Sequence, residues 1–212
     1  MKDPSAEDVA VGYLKSGSVI AVPTDTVYGL ACDATNVSAI NKLYSIKNRN
    51  KNKPLAICLN QVSELELWAE VHHLSSKILH ALLPGPYTLV LKSTNNLDAS
   101  LILKGNIGIR IPDYPFIRHI SGHLGKPIAL TSANLSNEPS ATEILEFKSI
   151  WDQIPVIFDG AVIFDGGKLS NDRASTVVDL TEPGLFKVIR KGAGYLTMLN
   201  IFKEFGLEMI ES

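Results

Sequence analysis

Short apolar runs of strand length set the tightest limit on what this chain can fold into. They recur at Ser18–Val22, Leu55–Leu59, Tyr87–Leu91, Ile107–Ile111, Pro127–Leu130, Pro155–Phe158, Ser175–Leu180 and Phe186–Ile189. Most are β-branched and continuous rather than alternating, which suits strands covered on both faces. Helical patterns lie between them. Ser5 is placed to cap a helix that stops at Gly17, and Asn36 to Lys47 carries Val37, Ile40, Leu43, Tyr44 and Lys47 at helical spacing. Ser63-Glu64-Leu65-Glu66 spells a capping box, Leu74–Leu83 ends at Pro84-Gly85-Pro86, and Met198–Phe205 supplies a last helix before Gly206. No linker, repeat or low-complexity tract interrupts them. Strands mixed with helices throughout predict a single α/β domain over residues 1–212.

A chain of 212 residues can bury roughly 70% of the surface its unfolded form exposes, so it needs no disulfide staples. The two cysteines, Cys32 and Cys58, form no C-x-x-C motif and read as free buried thiols of a reducing compartment. Twenty basic against 22 acidic residues give a net charge of −2. That excludes a global basic field and argues against nucleic-acid gripping as the main function, though a local basic patch remains open. No apolar signal segment or Arg-rich presequence starts at Met1, and no 18-residue apolar stretch occurs. The expectation is a soluble cytoplasmic protein without a membrane span; a longer natural form with a presequence would add a mitochondrial pool.

The densest basic cluster is Lys47-Asn48-Arg49-Asn50-Lys51-Asn52-Lys53, four cations in seven residues with no acid. It follows a helix and enters a strand, so it reads as a loop, either a solvated charge run or a clamp for a polyanion. Pro23-Thr24-Asp25-Thr26-Val27-Tyr28-Gly29-Leu30 leaves another strand with hydroxyls suited to a small polar ligand, or to satisfying its own turn. In Thr131-Ser132-Ala133-Asn134, Ser132 and Asn134 are two apart and share a side in extended backbone. Ser140-Ala141-Thr142-Glu143 reads as a capping box whose helix N-terminus would also suit an anion. Arg110, amid Ile107-Gly108-Ile109-Arg110-Ile111, needs a protein carboxylate or an anionic ligand, and Arg190 poses the same question.

Three familiar solutions are missing: no G-x-x-x-x-G-K-[ST] phosphate loop, no G-x-G-x-x-G fingerprint and no G-x-S-x-G elbow. His119 and His123 are four apart, but without an intervening Glu or a third ligand they read as an exposed helix face.

Taken in order, several segments resemble the YrdC/Sua5 family of threonylcarbamoyl-AMP synthases. They are Pro23–Leu30, Lys47-x-Arg49, Pro84-Gly85-Pro86-Tyr87-Thr88, Gly108-Ile109-Arg110-Ile111-Pro112, Thr131–Ser136, Ser175-Thr176-Val177-Val178-Asp179 and Ile189-Arg190. The likeness runs from about residue 8 to 195 and leans to the eukaryotic YRDC branch, in a short form without the extra Sua5 domain. It implies a twisted mixed β-sheet, flanked by helices and curved around a deep basic groove. It also implies the reaction of ATP, L-threonine and bicarbonate to threonylcarbamoyl-AMP and pyrophosphate, which starts the t6A modification of tRNA adenosine 37.

By the same resemblance, Thr26, Arg110 and Ser175 contact threonine, while Lys47, Arg49, Asn106, Ser132, Asn134, Ser140 and Arg190 contact ATP, with Lys47 and Arg49 as the catalytic pair. Mg²⁺ would accompany ATP, its ligands unassigned. A downstream threonylcarbamoyl transferase complex would receive the product, with weak tRNA or RNA contact as a further expectation. Lys53 stands where many Sua5 members have Asn, and Cys58 where many have His. The rival readings are a double-stranded RNA-binding module, a carbamoyl-transfer domain of the hydrogenase-maturation kind, and an inactive structural role. The net charge of −2 opposes the first, and the lack of C-x-x-C pairs opposes the second. The retained Lys, Arg and Ser-x-Asn set opposes the third.

Overall fold

The computed structural model describes residues 5–50, 53–136, 138–153, 162–171 and 173–210. Nine strands are found among them: β1 (Ile20–Val22), β2 (Gly29–Asp33), β3 (Ala56–Cys58), β4 (Tyr87–Lys92), β5 (Asn106–Arg110), β6 (Ile128–Ser132), β7 (Thr176–Asp179), β8 (Leu185–Arg190) and β9 (Glu208–Met209). They hydrogen-bond in the order β1-β2-β6-β3-β5-β4-β7-β8-β9. The β3–β5, β4–β7 and β8–β9 pairs are parallel and the others antiparallel, so the sheet is mixed as expected. The strand expected at Pro155–Phe158 lies outside the described residues. β2 was missed because its Gly-Leu-Ala-Cys-Asp run reads as the tail of the Pro23–Leu30 loop.

Helices α1 (Ala6–Lys15), α2 (Val37–Ile46), α3 (Ser76–Leu82), α4 (Pro115–Leu124) and α5 (Tyr195–Glu204) flank the sheet. Ser5 caps α1 through a capping box with Asp8, and Asn36 caps α2 by accepting from the Ala39 N–H. Alternate residues of β1 enter different cores. Ile20 and Val22 pack with Leu14 of α1 and Ile117 and Ile120 of α4. Val19 and Ala21 join the larger core, which holds Ile40 and Leu43 of α2 and Met198 and Phe202 of α5. Both faces are covered there, which is why that run is continuously apolar. No helix among the described residues is long and apolar enough to cross a membrane.

Two expected capping boxes are not helix starts. Val62–Leu67 is a 3-10 helix preceded by Gln61 without a side-chain cap, and the Glu64 carboxylate instead accepts from the Asn60 N–H at 3.3 Å. Ser140 lies in irregular chain ahead of the 3-10 segment Ile144–Gln153. There Glu146 Oε2 collects the Thr142 N–H at 2.6 Å and the Thr142 hydroxyl at 3.2 Å, so the cap begins two residues later. Val37, expected on the apolar face of α2, is 47% exposed. Cys32 and Cys58 are free and buried, and His119 and His123 are exposed on α4.

Candidate active site

The central strands depart from two-sided cover. In β5, Ile107 and Ile109 belong to the larger core, while Asn106, Gly108 and Arg110 share the opposite face. Thr88 and Val90 of β4, and Ser175, Val177 and Asp179 at and within β7, turn to that same side. These side chains line a cavity of about 520 Å³, within the usual range of small-molecule sites. The ends of β2 and β6 (Tyr28, Gly29, Thr131, Ser132), the entrance to β3 (Lys53, Pro54, Leu55) and the end of β8 (Ile189, Arg190) complete its wall. Among the described residues its cationic lining is Arg49, Lys53, Lys104, Arg110 and Arg190, and its lining carboxylate is Asp179.

Arg110 is 6% exposed and has found a protein carboxylate. Its Nη2 donates to Asp25 Oδ1 in a short ion pair and to Thr26 Oγ1 at 2.6 Å, while its buried Nε has no partner. The other Asp25 oxygen accepts from the Asp113 N–H at 3.1 Å. Thr26 is completely buried behind this pair and also contacts the Thr24 hydroxyl at 3.1 Å.

Across the cavity, Arg190 Nε and Nη2 donate to the Ser175 carbonyl at 3.1 and 2.9 Å, and Nη2 also reaches Ser175 Oγ at 3.0 Å. That hydroxyl lies 2.9 Å from Thr88 Oγ1. Burial lowers the Arg190 pKa, and the positive charges of Arg110 and Arg49 lower it further, so the three guanidiniums share one field. Arg49 is held by main-chain carbonyls, Nε to Lys53 at 2.8 Å and Nη2 to Pro54 at 3.2 Å, and burial lowers its pKa too.

Lys47 is not a loop cation. As the C-terminal cap residue of α2 it is 1% exposed, and its Nζ donates to Ser132 O at 2.5 Å, Asn134 O at 2.6 Å and Asn134 Oδ1 at 2.9 Å. Burial, then repulsion from Arg49, pulls its pKa down to about 7 against the attraction of Glu138. Ser132 Oγ in turn donates to Asn134 Oδ1 at 2.5 Å, the shared side that their spacing predicts.

Of the expected residues, Arg49, Asn106, Arg110, Ser132, Ser175 and Arg190 reach the wall together with the variable Lys53. Lys47, Thr26 and Asn134 stand behind it, and Ser140 and Cys58 are not among its lining side chains. Sequence reasoning missed Asp25 as the partner of Arg110 and Thr88, Lys104 and Asp179 as lining residues. An acid beside a strand and a buried arginine on another were the available signal for the first. The period of two along β4 and β7 was the signal for Thr88 and Asp179.

A family model, Sua5_yciO_yrdC, described as telomere recombination, matches residues 12–192. The threonylcarbamoyl-AMP synthase of Bos taurus is 42% identical over 199 residues, 93% of this chain and 72% of the relative. Its counterpart in Homo sapiens is 40% identical over 200 residues, again 93% of this chain and 71% of the relative. The solved structure of P. abyssi Sua5 complexed with L-threonine superposes with a TM-score of 0.84 at 28% identity. That superposition covers 95% of this chain but 58% of the P. abyssi chain.

Proposed function

The chain belongs to the Sua5/YciO/YrdC family, and from that premise we propose that it joins ATP, L-threonine and bicarbonate into L-threonylcarbamoyladenylate and pyrophosphate. The product is the activated donor for N6-threonylcarbamoyladenosine in tRNA, handed in the cytoplasm to a downstream transferase complex, with weak RNA contact at most. The observation that carries this reading is the convergence of Arg49, Arg110 and Arg190 on one cavity whose floor offers the Ser175 and Thr88 hydroxyls.

The neutral threonine amine takes up carbon dioxide from bicarbonate; the amine proton and the hydroxide left by bicarbonate depart together as water, and a carbamate remains. An oxygen of the carbamate then attacks the α-phosphorus of ATP; the bond from that phosphorus to the bridging oxygen breaks, and pyrophosphate leaves with the electron pair. Two anions must meet, so fixed cations that need no reorganisation stabilise the step. Arg110, backed by Thr26 and joined by Ser175, takes threonine. Arg49, Asn106, Ser132 and Arg190 take the nucleotide, with Lys47 and Asn134 shaping Ser132 from behind and Ser140 assigned to ATP by resemblance alone. A sheltered cavity also protects the carbamate from reverting in water.

Mg²⁺ carried on ATP as part of that substrate would neutralise its phosphates. Asp179 Oδ1 already accepts from the Thr181 N–H at 2.9 Å and hydroxyl at 2.7 Å. One lining carboxylate fits a metal carried on phosphate oxygens and water better than one in an all-protein cage.

Pyrophosphate release, measured with each substrate omitted in turn, tests the proposal. Release is expected only with ATP, threonine and bicarbonate together; equal release without threonine or bicarbonate would mark a simple ATPase.

A further inference from the structure

The three arginines of the cavity differ in one respect. Among the described residues, Arg49 and Arg190 are held by carbonyls and a hydroxyl, while Arg110 carries a carboxylate, Asp25, as its ion-pair partner. Arg49 and Arg190 therefore present net positive charge to the cavity, whereas the Arg110–Asp25 pair is neutral and dipolar. A polyphosphate approaching Arg110 meets the Asp25 charge as well. Arg110 lines the cavity and Asp25 stands behind it, so a zwitterion with its carboxylate on the guanidinium and its ammonium turned toward the Asp25 side is attracted at both ends by the field of the pair.

Resting on the function proposed above, we propose that Asp25 is the positioning residue that sorts the two substrates, reserving Arg110 for an α-amino acid and leaving the polyphosphate to Arg49 and Arg190. The pair has capacity left for such a ligand. Arg110 spends Nη2 on Asp25 and Thr26 and keeps Nε without a partner. Each Asp25 oxygen has two acceptor sites; Oδ1 takes Arg110 and Oδ2 takes the Asp113 N–H. The anchorage to Asp113, together with side-chain exposures of 8% for Arg110 and 9% for Asp25, keeps the pair from swinging into solvent. Sorting matters because the reaction fails if the triphosphate occupies the amino-acid end.

Calorimetric binding without turnover tests this, using L-threonine, its amine-free analogue 2,3-dihydroxybutyrate, and inorganic tripolyphosphate. The wild-type protein should bind threonine about tenfold or more tightly than dihydroxybutyrate, and saturating tripolyphosphate should leave threonine affinity within about twofold. Asp25→Asn should weaken threonine about tenfold and make tripolyphosphate compete with it, and Asp25→Glu, which restores the charge, should recover the separation. Unchanged selectivity in a folded Asp25→Asn protein would overturn the inference. Should that variant not fold, equal binding of threonine and dihydroxybutyrate to the wild type would overturn it alone. A wild-type protein that binds no threonine would instead remove the proposed function, and the sorting role with it.

Discussion

The Lys47 ammonium donates to the main-chain carbonyl of Ser132 at 2.5 Å, tying the C-terminal end of α2 to the end of β6. With Asn134 O and Oδ1 also accepting, all three of its N–H groups are used inside the protein. Lys47→Met would orphan these acceptors and should cost about 2–4 kcal/mol of stability along with activity, read as a fall in the urea midpoint. The pKa also predicts a slope. The unfolded lysine binds its proton up to about 10.5 and the folded one only to about 7, so between these values the unfolded state holds more protons. Wild-type stability should therefore rise with pH from 7 to 9, by up to about 1.4 kcal/mol per unit relative to Lys47→Met. Parallel curves for the two proteins would contradict this account.

Arg49 and Arg110 should separate by stability as well as by ligand. Arg49 is half-buried and bonded to two carbonyls, so Arg49→Ala should cost no more than about 1 kcal/mol while reducing ATP binding severely. Arg110→Gln leaves Asp25 buried beside a neutral amide, and should lower stability by about 3 kcal/mol while weakening threonine about 10- to 150-fold. Thermal melts and titrations of each ligand into each variant read both effects. Equal loss of both ligands in both variants would withdraw the assigned roles.

Two glycines give opposite expectations for the same substitution. Gly12 lies within α1 with nothing within 4 Å of an added methyl, so Gly12→Ala should stabilise by about 0.5–1 kcal/mol. At Gly192 the methyl would fall inside contact distance of the main-chain oxygens of Ala174 and Ser175. Gly192→Ala should destabilise by about 1–3 kcal/mol and raise the threonine KM by displacing Ser175. A normal KM with normal stability would show that this loop tolerates the shift.

The sheet and most helices are legible because continuous apolar runs and caps such as Ser5 and Asn36 act locally. What is not legible depends on neighbours distant in sequence. Ile107–Ile111 reads as an apolar strand with a stray arginine, yet alternate residues make it a core face and a cavity floor. Lys47 reads as one charge of a loop cluster because nothing local shows that the Ser132–Asn134 carbonyls will surround it. Asp25 reads as a turn residue because its partner lies 85 positions away. Ser140 reads as a cap because the capping-box spacing is local, whereas tertiary packing sets the helix start.

Tyr28 connects the cavity to a second segment of chain, and its hydroxyl provides a last test. It lies 2.7 Å from Gly167 O and 3.1 Å from Asp165 Oδ1, and accepts from the Gly166 N–H at 2.9 Å. Burial, above all, pushes its pKa up to about 12, against an ordinary value of 10. The raised value means that the folded state holds the phenol proton where the unfolded chain has lost it. The resulting stability is full below pH 10 and disappears as pH climbs through about 12. Tyr28→Phe should cost about 1–3 kcal/mol at neutral pH, because the Gly166 and Gly167 groups lose their partner. It should also abolish this part of the alkaline decline. The buried cysteines, raised in the same direction, are common to both proteins and cancel in the difference. Denaturation midpoints of the two proteins between pH 8 and 11 should therefore converge as pH rises; a constant gap would show that the hydroxyl is not held as described.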